Sequence, residues 1–211
     1  MSFRDSFFVW QGSKDMDRLR TDTGIAALLR ECSSAGTPLT LGEALDLLGE
    51  RSFGALFVLL ALPAALPLPA AGYAVPFGLG IFVLGIELIA GRSRPWLPAR
   101  ILKMKLPSLD PDSRALALLE RIEGLFRARG PGLHGPFRAM VGLTACCLGG
   151  LMMIPIPGTN TLPGACALVM GMGILYRDGL WTAAGMVIGA GLLGLYGAAA
   201  FGVLKLFHLT G

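Results

Sequence analysis

The stretch that decides the fold is Phe53–Gly91, FGALFVLLALPAALPLPAAGYAVPFGLGIFVLGIELIAG, in which Glu87 is the one charged residue. Two apolar limbs, Phe53 to about Leu66 and Val75 to about Gly91, flank a proline-rich break. Each limb is shorter than the roughly 20 helical residues that cross ~30 Å of hydrocarbon. The pattern predicts a helical membrane hairpin, either two short spans with a tight turn or a re-entrant loop, and the sequence leaves both open.

A second apolar stretch, residues 137–176, repeats this layout. The first break begins with PLP at residues 67–69 and is followed by Pro76. The second break begins with PIP at residues 155–157 and is followed by Pro163. An internal repeat is often how a transporter builds a site between its halves. The alternative is a duplicated scaffold with no transport role.

The remaining segments are assigned from composition and spacing. Five segments are predicted: N-terminal cytoplasmic or interfacial helices (1–52), the first membrane hairpin (53–91), a basic cytoplasmic loop with an amphipathic helix (92–136), the second hairpin (137–176) and a C-terminal transmembrane helix (180–208). Thr40 and Glu43 stand at capping-box spacing, which predicts a helix start. Gly185 and Gly189 form a GxxxG pair, which predicts close helix packing within the fold or across a dimer.

The composition places these segments in a bilayer. Of 211 residues, 54% are hydrophobic and 15% are charged, and the mean hydropathy is +0.64, whereas soluble domains have about 25% charged residues. The fold class predicted is therefore an all-α integral membrane protein. From Arg92 to Arg138 there are ten basic and four acidic residues, so the positive-inside rule predicts that this loop is cytoplasmic.

The two breaks are the candidate substrate site. Their prolines supply no N–H, so preceding carbonyls lose a helical partner, and the helices that follow point their positive ends at the same region. Such a geometry suits a phosphate or carboxylate. The candidate binding residues are Pro67, Pro69, Tyr73, Pro155, Pro157, Thr159, Asn160 and Thr161. The alternative is that these residues merely cap helices and close turns.

Charged residues near the end of the first hairpin form a second candidate group. Glu87 is an intramembrane carboxylate, which is costly unless it is paired or functional, so we assign it an ion- or proton-linked role. Pairing with Arg92 or Arg94, little more than one helical turn away, is the alternative. Arg92, Arg94 and Trp96 are interpreted as a membrane anchor, with the arginines at lipid phosphates and the indole at headgroup level.

The sequence contains no motif that supports catalysis or metal binding. The sequence has no GxxxxGK, no recognisable nucleophile motif, and two isolated histidines. Its four cysteines lack CxxC spacing. We therefore expect no enzyme activity, catalytic residues, cofactor or metal, and no nucleic-acid partner. The expected partners are membrane lipids, an anionic lipid-linked substrate and further copies of the chain in a homo-oligomer.

Several segments together resemble the ExoD family of bacterial exopolysaccharide-synthesis proteins. They are Gly42-Glu43, the PLP break, GRSRPWLP at residues 91–98, PIPGTNTLP at residues 155–163 and RDG at residues 177–179. The resemblance covers most of the chain from about residue 38. It implies a multi-pass protein of the bacterial inner membrane that is linked to exopolysaccharide production, and it implies no specific biochemical activity. Glu87 is a departure, since an uncharged polar residue is expected there.

Overall fold

The computed structural model describes residues 40–66, 74–105, 121–127, 129, 133–154 and 160–210. Within these residues the regular elements are helices and no strand occurs, which confirms the all-α prediction. The helices are α1 (Leu41–Leu48), α2 (Arg51–Ala65), α3 (Ala74–Ile89), α4 (Ala99–Leu102), α5 (Gly135–Met152), α6 (Thr161–Leu175) and α7 (Gly179–Thr210). The break residues 67–73 and 155–159, the N-terminal residues 1–39 and residues 106–120, which include the first half of the predicted amphipathic helix, lie outside the described residues.

One compact unit comprises Met1–Gly49 and Leu97–Arg127, and its described helices are α1 and α4. The Thr40 backbone N–H donates to Glu43 Oε2 at 2.9 Å, and the Glu43 N–H donates to Thr40 Oγ1 at 3.4 Å. This reciprocal pair confirms the predicted capping box. The Leu41 N–H donates to the Met104 carbonyl at 2.8 Å, which ties the start of α1 to the residues after α4.

The second unit comprises Glu50–Trp96 and Ala128–Gly211 and contains both predicted hairpins. Its main helix pairs cross between the hairpins: α2 packs against α6, and α3 packs against α5. The first limb of each hairpin therefore contacts the second limb of the other. Helix α7 packs mainly against α6.

Glycines allow these crossed pairs to approach closely. A β-carbon at Gly142 would lie 2.7 Å from the Gly85 carbonyl oxygen, and one at Gly85 would lie 2.7 Å from the Gly142 carbonyl oxygen. In the other pair, a β-carbon at Gly54 would lie 2.8 Å from the Gly171 carbonyl oxygen, and one at Gly171 would lie 3.3 Å from that of Gly54. Small residues at such crossings are typical of helices that pack in lipid, where close van der Waals contact drives association.

Helix α7 uses its predicted GxxxG pair within the fold. A β-carbon at Gly185 would meet the Met170 backbone nitrogen of α6 at 2.7 Å, and one at Gly189 would meet the Leu148 side chain of α5 at 3.3 Å. The later glycines, Gly194 and Gly202, have nothing within 4 Å of such a carbon. The close packing expected of the GxxxG pair is therefore intramolecular.

Among the described residues, two helices are long and apolar enough to cross a membrane, Gly135–Met152 and the Gly179–Gly202 part of α7. Only 17% of the latter is buried inside the protein, which is unlike the core helix of a soluble domain. Helices α2, α3 and α5 also carry large exposed hydrophobic side chains, including Leu59, Leu62, Val83, Ile86, Met140 and Leu143. Large exposed apolar surfaces mark contact with lipid or protein. These features indicate a membrane protein.

Candidate functional site

The crossed helix pairs place the residues that flank the first break close to the residues that flank the second break. A β-carbon at Gly164, just after the second break, would lie 2.9 Å from the backbone of Ala64 and Ala65, which lead into the first. A β-carbon at Gly78, just after the first break, would lie 2.8 Å from Met152 Cβ, which leads into the second. Each helix that leaves one break therefore packs against the helix that enters the other.

Asn160 and Thr161 are the predicted site residues that the structure describes here. Thr161 is the first residue of α6, and the Asn160 carbonyl accepts from the Gly164 N–H at 2.9 Å. The Asn160 side chain makes no capping hydrogen bond, and its Oδ1 atom is buried without a hydrogen-bond partner. Buried polar atoms are normally paired, so this carboxamide is available to a ligand. The unpaired atom is an acceptor, so it suits a ligand hydroxyl such as that of a sugar, whereas a phosphate oxygen could be held only by the Nδ2 donor of the same side chain.

The other predicted site residues cannot be placed. Pro67, Pro69, Tyr73, Pro155, Pro157 and Thr159 lie outside the described residues. The structure brings together the flanks of the two breaks, and binding by the break residues stays a prediction. Among the described residues, no three histidine, cysteine, aspartate or glutamate side chains are grouped to hold a metal.

Glu87 is held in a local hydrogen-bonded arrangement near the end of α3. Glu87 is buried, with 6% of the residue exposed, and its two carboxylate oxygens accept from the Trp96 N–H at 3.0 and 3.2 Å. Arg92 Nη1 lies 3.8 Å from Glu87 Oε1. The carboxylate therefore fixes the turn that follows α3, which is the structural pairing that the sequence left open. The ion- or proton-linked role stays a prediction.

The predicted anchor residues project from this turn. Arg92, Arg94 and Trp96 are exposed, Trp96 to 63%, although Glu87 fixes the backbone beneath them. An anchor at a lipid interface needs this combination of a fixed backbone and exposed basic and aromatic groups. The anchoring itself stays a prediction.

Asp178, which the sequence places with Arg177 in a short polar turn, also has a capping role that the sequence analysis did not assign. It is buried, its Oδ1 accepts from the Leu180 N–H at 3.1 Å, and the neighbouring Gly179 N–H donates to the Arg129 carbonyl at 2.7 Å. Asp178 thus satisfies a backbone donor of the first turn of α7. An aspartate directly before a long apolar segment is a common helix start, and this signal could have identified it.

Comparison with known proteins identifies the family. The sequence pattern described as "Exopolysaccharide synthesis, ExoD" matches residues 25–198. The chain belongs to the ExoD family. It is 38% identical over 157 residues to an uncharacterized protein of Synechocystis sp., covering 72% of this chain and 74% of that protein. It is 35% identical over 173 residues to Protein ExoD of Rhizobium meliloti, covering 78% of this chain and 70% of that protein. No solved structure matches significantly.

Membership of the ExoD family confirms the resemblance carried by the GRSRPWLP and PIPGTNTLP segments. Both segments lie inside the matched range of residues 25–198. The family description links the ExoD family, and this member of it, to exopolysaccharide synthesis. The description names no reaction or substrate.

Proposed function

We propose that this member of the ExoD family is a multi-pass inner-membrane protein that moves an anionic, lipid-linked or envelope-related substrate during exopolysaccharide production. The proposal rests on the contacts between residues that flank the two breaks. Gly164 packs on Ala64–Ala65, and Gly78 packs on Met152. A site formed by two breaks requires this proximity. A scaffold composed of independent hairpins does not.

The crossed glycine contacts support the view that the hairpins are repeats. Gly54 and Gly142 each lie 13 residues before the first proline of their break, since 67 − 54 and 155 − 142 are both 13. Each contacts a glycine in the second limb of the other hairpin, Gly171 or Gly85. A pseudo-twofold axis that relates the two hairpins would superimpose the Gly54–Gly171 contact on the Gly142–Gly85 contact. Repeats related in this way often hold a transporter's substrate at their interface.

The chemistry at the break borders fits an anion with polar substituents. Helices α3 and α6 begin directly after the breaks, so their free N–H groups and positive dipole ends lie at the proposed site. The buried Asn160 Oδ1 atom adds an unpaired acceptor that suits a hydroxyl group of the substrate. We further propose that the breaks are re-entrant and that α7 is a full transmembrane helix.

A flux measurement in liposomes tests the proposal. Liposomes containing polyprenyl-phosphate-type lipid should show protein-dependent movement of that lipid between leaflets. Asn160→Ala should reduce the rate about tenfold, because losing one strong contact to the bound substrate costs about 1.4 kcal/mol. The matched control Thr144→Ala should leave the rate unchanged, because Thr144 Oγ1 already bonds to the Met140 carbonyl of its own helix, away from the breaks.

Folded wild-type protein that produces no flux would count heavily against transport. The competing account is a membrane scaffold that organises polysaccharide-synthesis partners without transport. It predicts that alanine at Thr159 or Asn160 leaves exopolysaccharide output intact, and that charge introduced at Leu119 and Ile122 abolishes it. The opposite pattern in cells supports the substrate site.

A further inference from the structure

Arg138 carries buried guanidinium nitrogens that have no hydrogen-bond partner in the part of the chain that the structure describes. It lies in the first turns of α5, and its Nε and Nη2 atoms are enclosed and have no hydrogen-bond partner. No ion pair to Arg138 occurs among the described residues. The residue as a whole is half-buried, but Nε and Nη2 themselves are covered, so a ligand reaches them only by displacing the groups that cover them.

The two unpaired atoms form one functional edge of the side chain. In arginine, the Nε–H and one Nη2–H bond point in parallel from the same side of the guanidinium plane, and this fork matches two oxygens of a phosphate or carboxylate. The guanidinium is always protonated in proteins, so it cannot become neutral by losing a proton. It donates hydrogen bonds and accepts none. A buried charge without a partner is strongly unfavourable.

The plane of the guanidinium is also oriented by a ring. The Arg138 Cζ atom lies 5.7 Å from the centroid of Phe53, which is 1% exposed and belongs to α2. A guanidinium over an aromatic face is held by cation–π attraction, while its edge remains available for hydrogen bonds. Packing between two helices therefore positions the fork instead of leaving a flexible chain in solvent.

We propose that Arg138 is the centre of a phosphate-binding site, in which the Nε–Nη2 fork holds two oxygens of one phosphate group above Phe53. The phosphate could belong to a lipid headgroup or be free in solution, since both present the same oxygens. The site lies at the start of α2 and α5, whereas the breaks follow the ends of these helices. It is therefore a second anion site, and it does not depend on the transport proposal.

Binding to the purified full-length protein in a neutral detergent tests the proposal. Titration calorimetry would use two probes, dihexanoyl phosphatidic acid and inorganic phosphate, with dihexanoyl phosphatidylcholine as a control for the lipid tails. Wild-type protein should bind at least one phosphate probe with saturation. Arg138→Gln should weaken this binding at least tenfold. Arg138→Lys should be intermediate, because it keeps the charge and loses the fork. Arg121→Gln, which removes an exposed positive charge elsewhere, should bind like wild type.

The probes separate the two sources of phosphate. Binding of phosphatidic acid alone identifies a lipid headgroup, and competition between the two probes shows that free phosphate is accepted. The proposal is overturned if wild-type protein binds neither probe, or if Arg138→Gln binds as tightly as wild type. If Arg138→Gln does not fold, Arg138→Lys decides the matter, and unchanged affinity in that variant also overturns the proposal. The calorimetry measures binding and not transport, so its result does not depend on whether the protein moves a substrate across the membrane.

Discussion

Gly142→Ala should destabilise the protein by about 1–3 kcal/mol, the usual range for overpacking a close contact. The added β-carbon would lie 2.7 Å from the Gly85 carbonyl oxygen and 3.0 Å from the Ile89 backbone nitrogen. Both neighbours are backbone atoms of α3, so no side-chain rotation relieves the clash. The helices must separate, and the crossed α3–α5 pair is weakened along its length.

The matched control for this change is Gly150→Ala on the same helix. A β-carbon at Gly150 has nothing within 4 Å, and alanine favours a helix over glycine by about 1 kcal/mol. The control should therefore be neutral or stabilising. Gly54→Ala tests the equivalent crossing of α2 and α6 and should resemble Gly142→Ala. Unfolding in mixed detergent micelles measures all three, and equal stability of Gly142→Ala and Gly150→Ala would contradict the close packing described here.

Glu87→Ala is the second change with a large expected effect. It removes the acceptor of the part-buried Trp96 N–H, and an unpaired buried donor costs about 1–3 kcal/mol. The ion pair to Arg92 adds little, because Arg92 is 54% exposed and its Nη1 atom is 3.8 Å away. Unfolding free energies should fall by about 1–3 kcal/mol for Glu87→Ala and by less than about 1 kcal/mol for Arg92→Ala.

Similar losses for Glu87→Ala and Arg92→Ala would show that the ion pair, and not the Trp96 hydrogen bond, fixes the turn. The same site tests the ion- or proton-exchange hypothesis. Glu87→Gln keeps an oxygen acceptor for Trp96 and removes the titratable group. If Glu87 carries protons, this variant loses any pH-dependent transport. Unchanged pH dependence would leave Glu87 with its structural role alone.

Sequence reasoning located much of the fold because local signals were strong. The Thr40–Glu43 spacing predicted the capping box because the two partners lie three residues apart. The apolar limbs predicted α2, α3, α5 and α6 because long runs without charge favour helices in lipid. The GxxxG spacing predicted close packing at Gly185 and Gly189, and the structure added which helices they contact.

The crossed pairing of the hairpins could not be predicted from these signals. Limbs such as α2 and α3 are apolar on every face, so periodicity does not show which neighbour each one contacts. Gly85 and Gly142 have no distinguishing local pattern, although their mutual approach fixes the pairing. The unpaired state of Arg138 and the burial of Asp178 likewise depend on tertiary neighbours. A single sequence does not contain that information in local form.

The central claim is that the two breaks meet at depth and form one site. Cysteines at Ala70 and Thr159, introduced after Cys32, Cys146, Cys147 and Cys166 are replaced and folding is verified, test it most directly. The account predicts that membrane-impermeant thiol reagents applied from outside label both positions poorly, and that a short bifunctional reagent cross-links them. Free external labelling at both positions, without cross-linking, would place the breaks at the outer surface as ordinary turns and contradict a shared buried site.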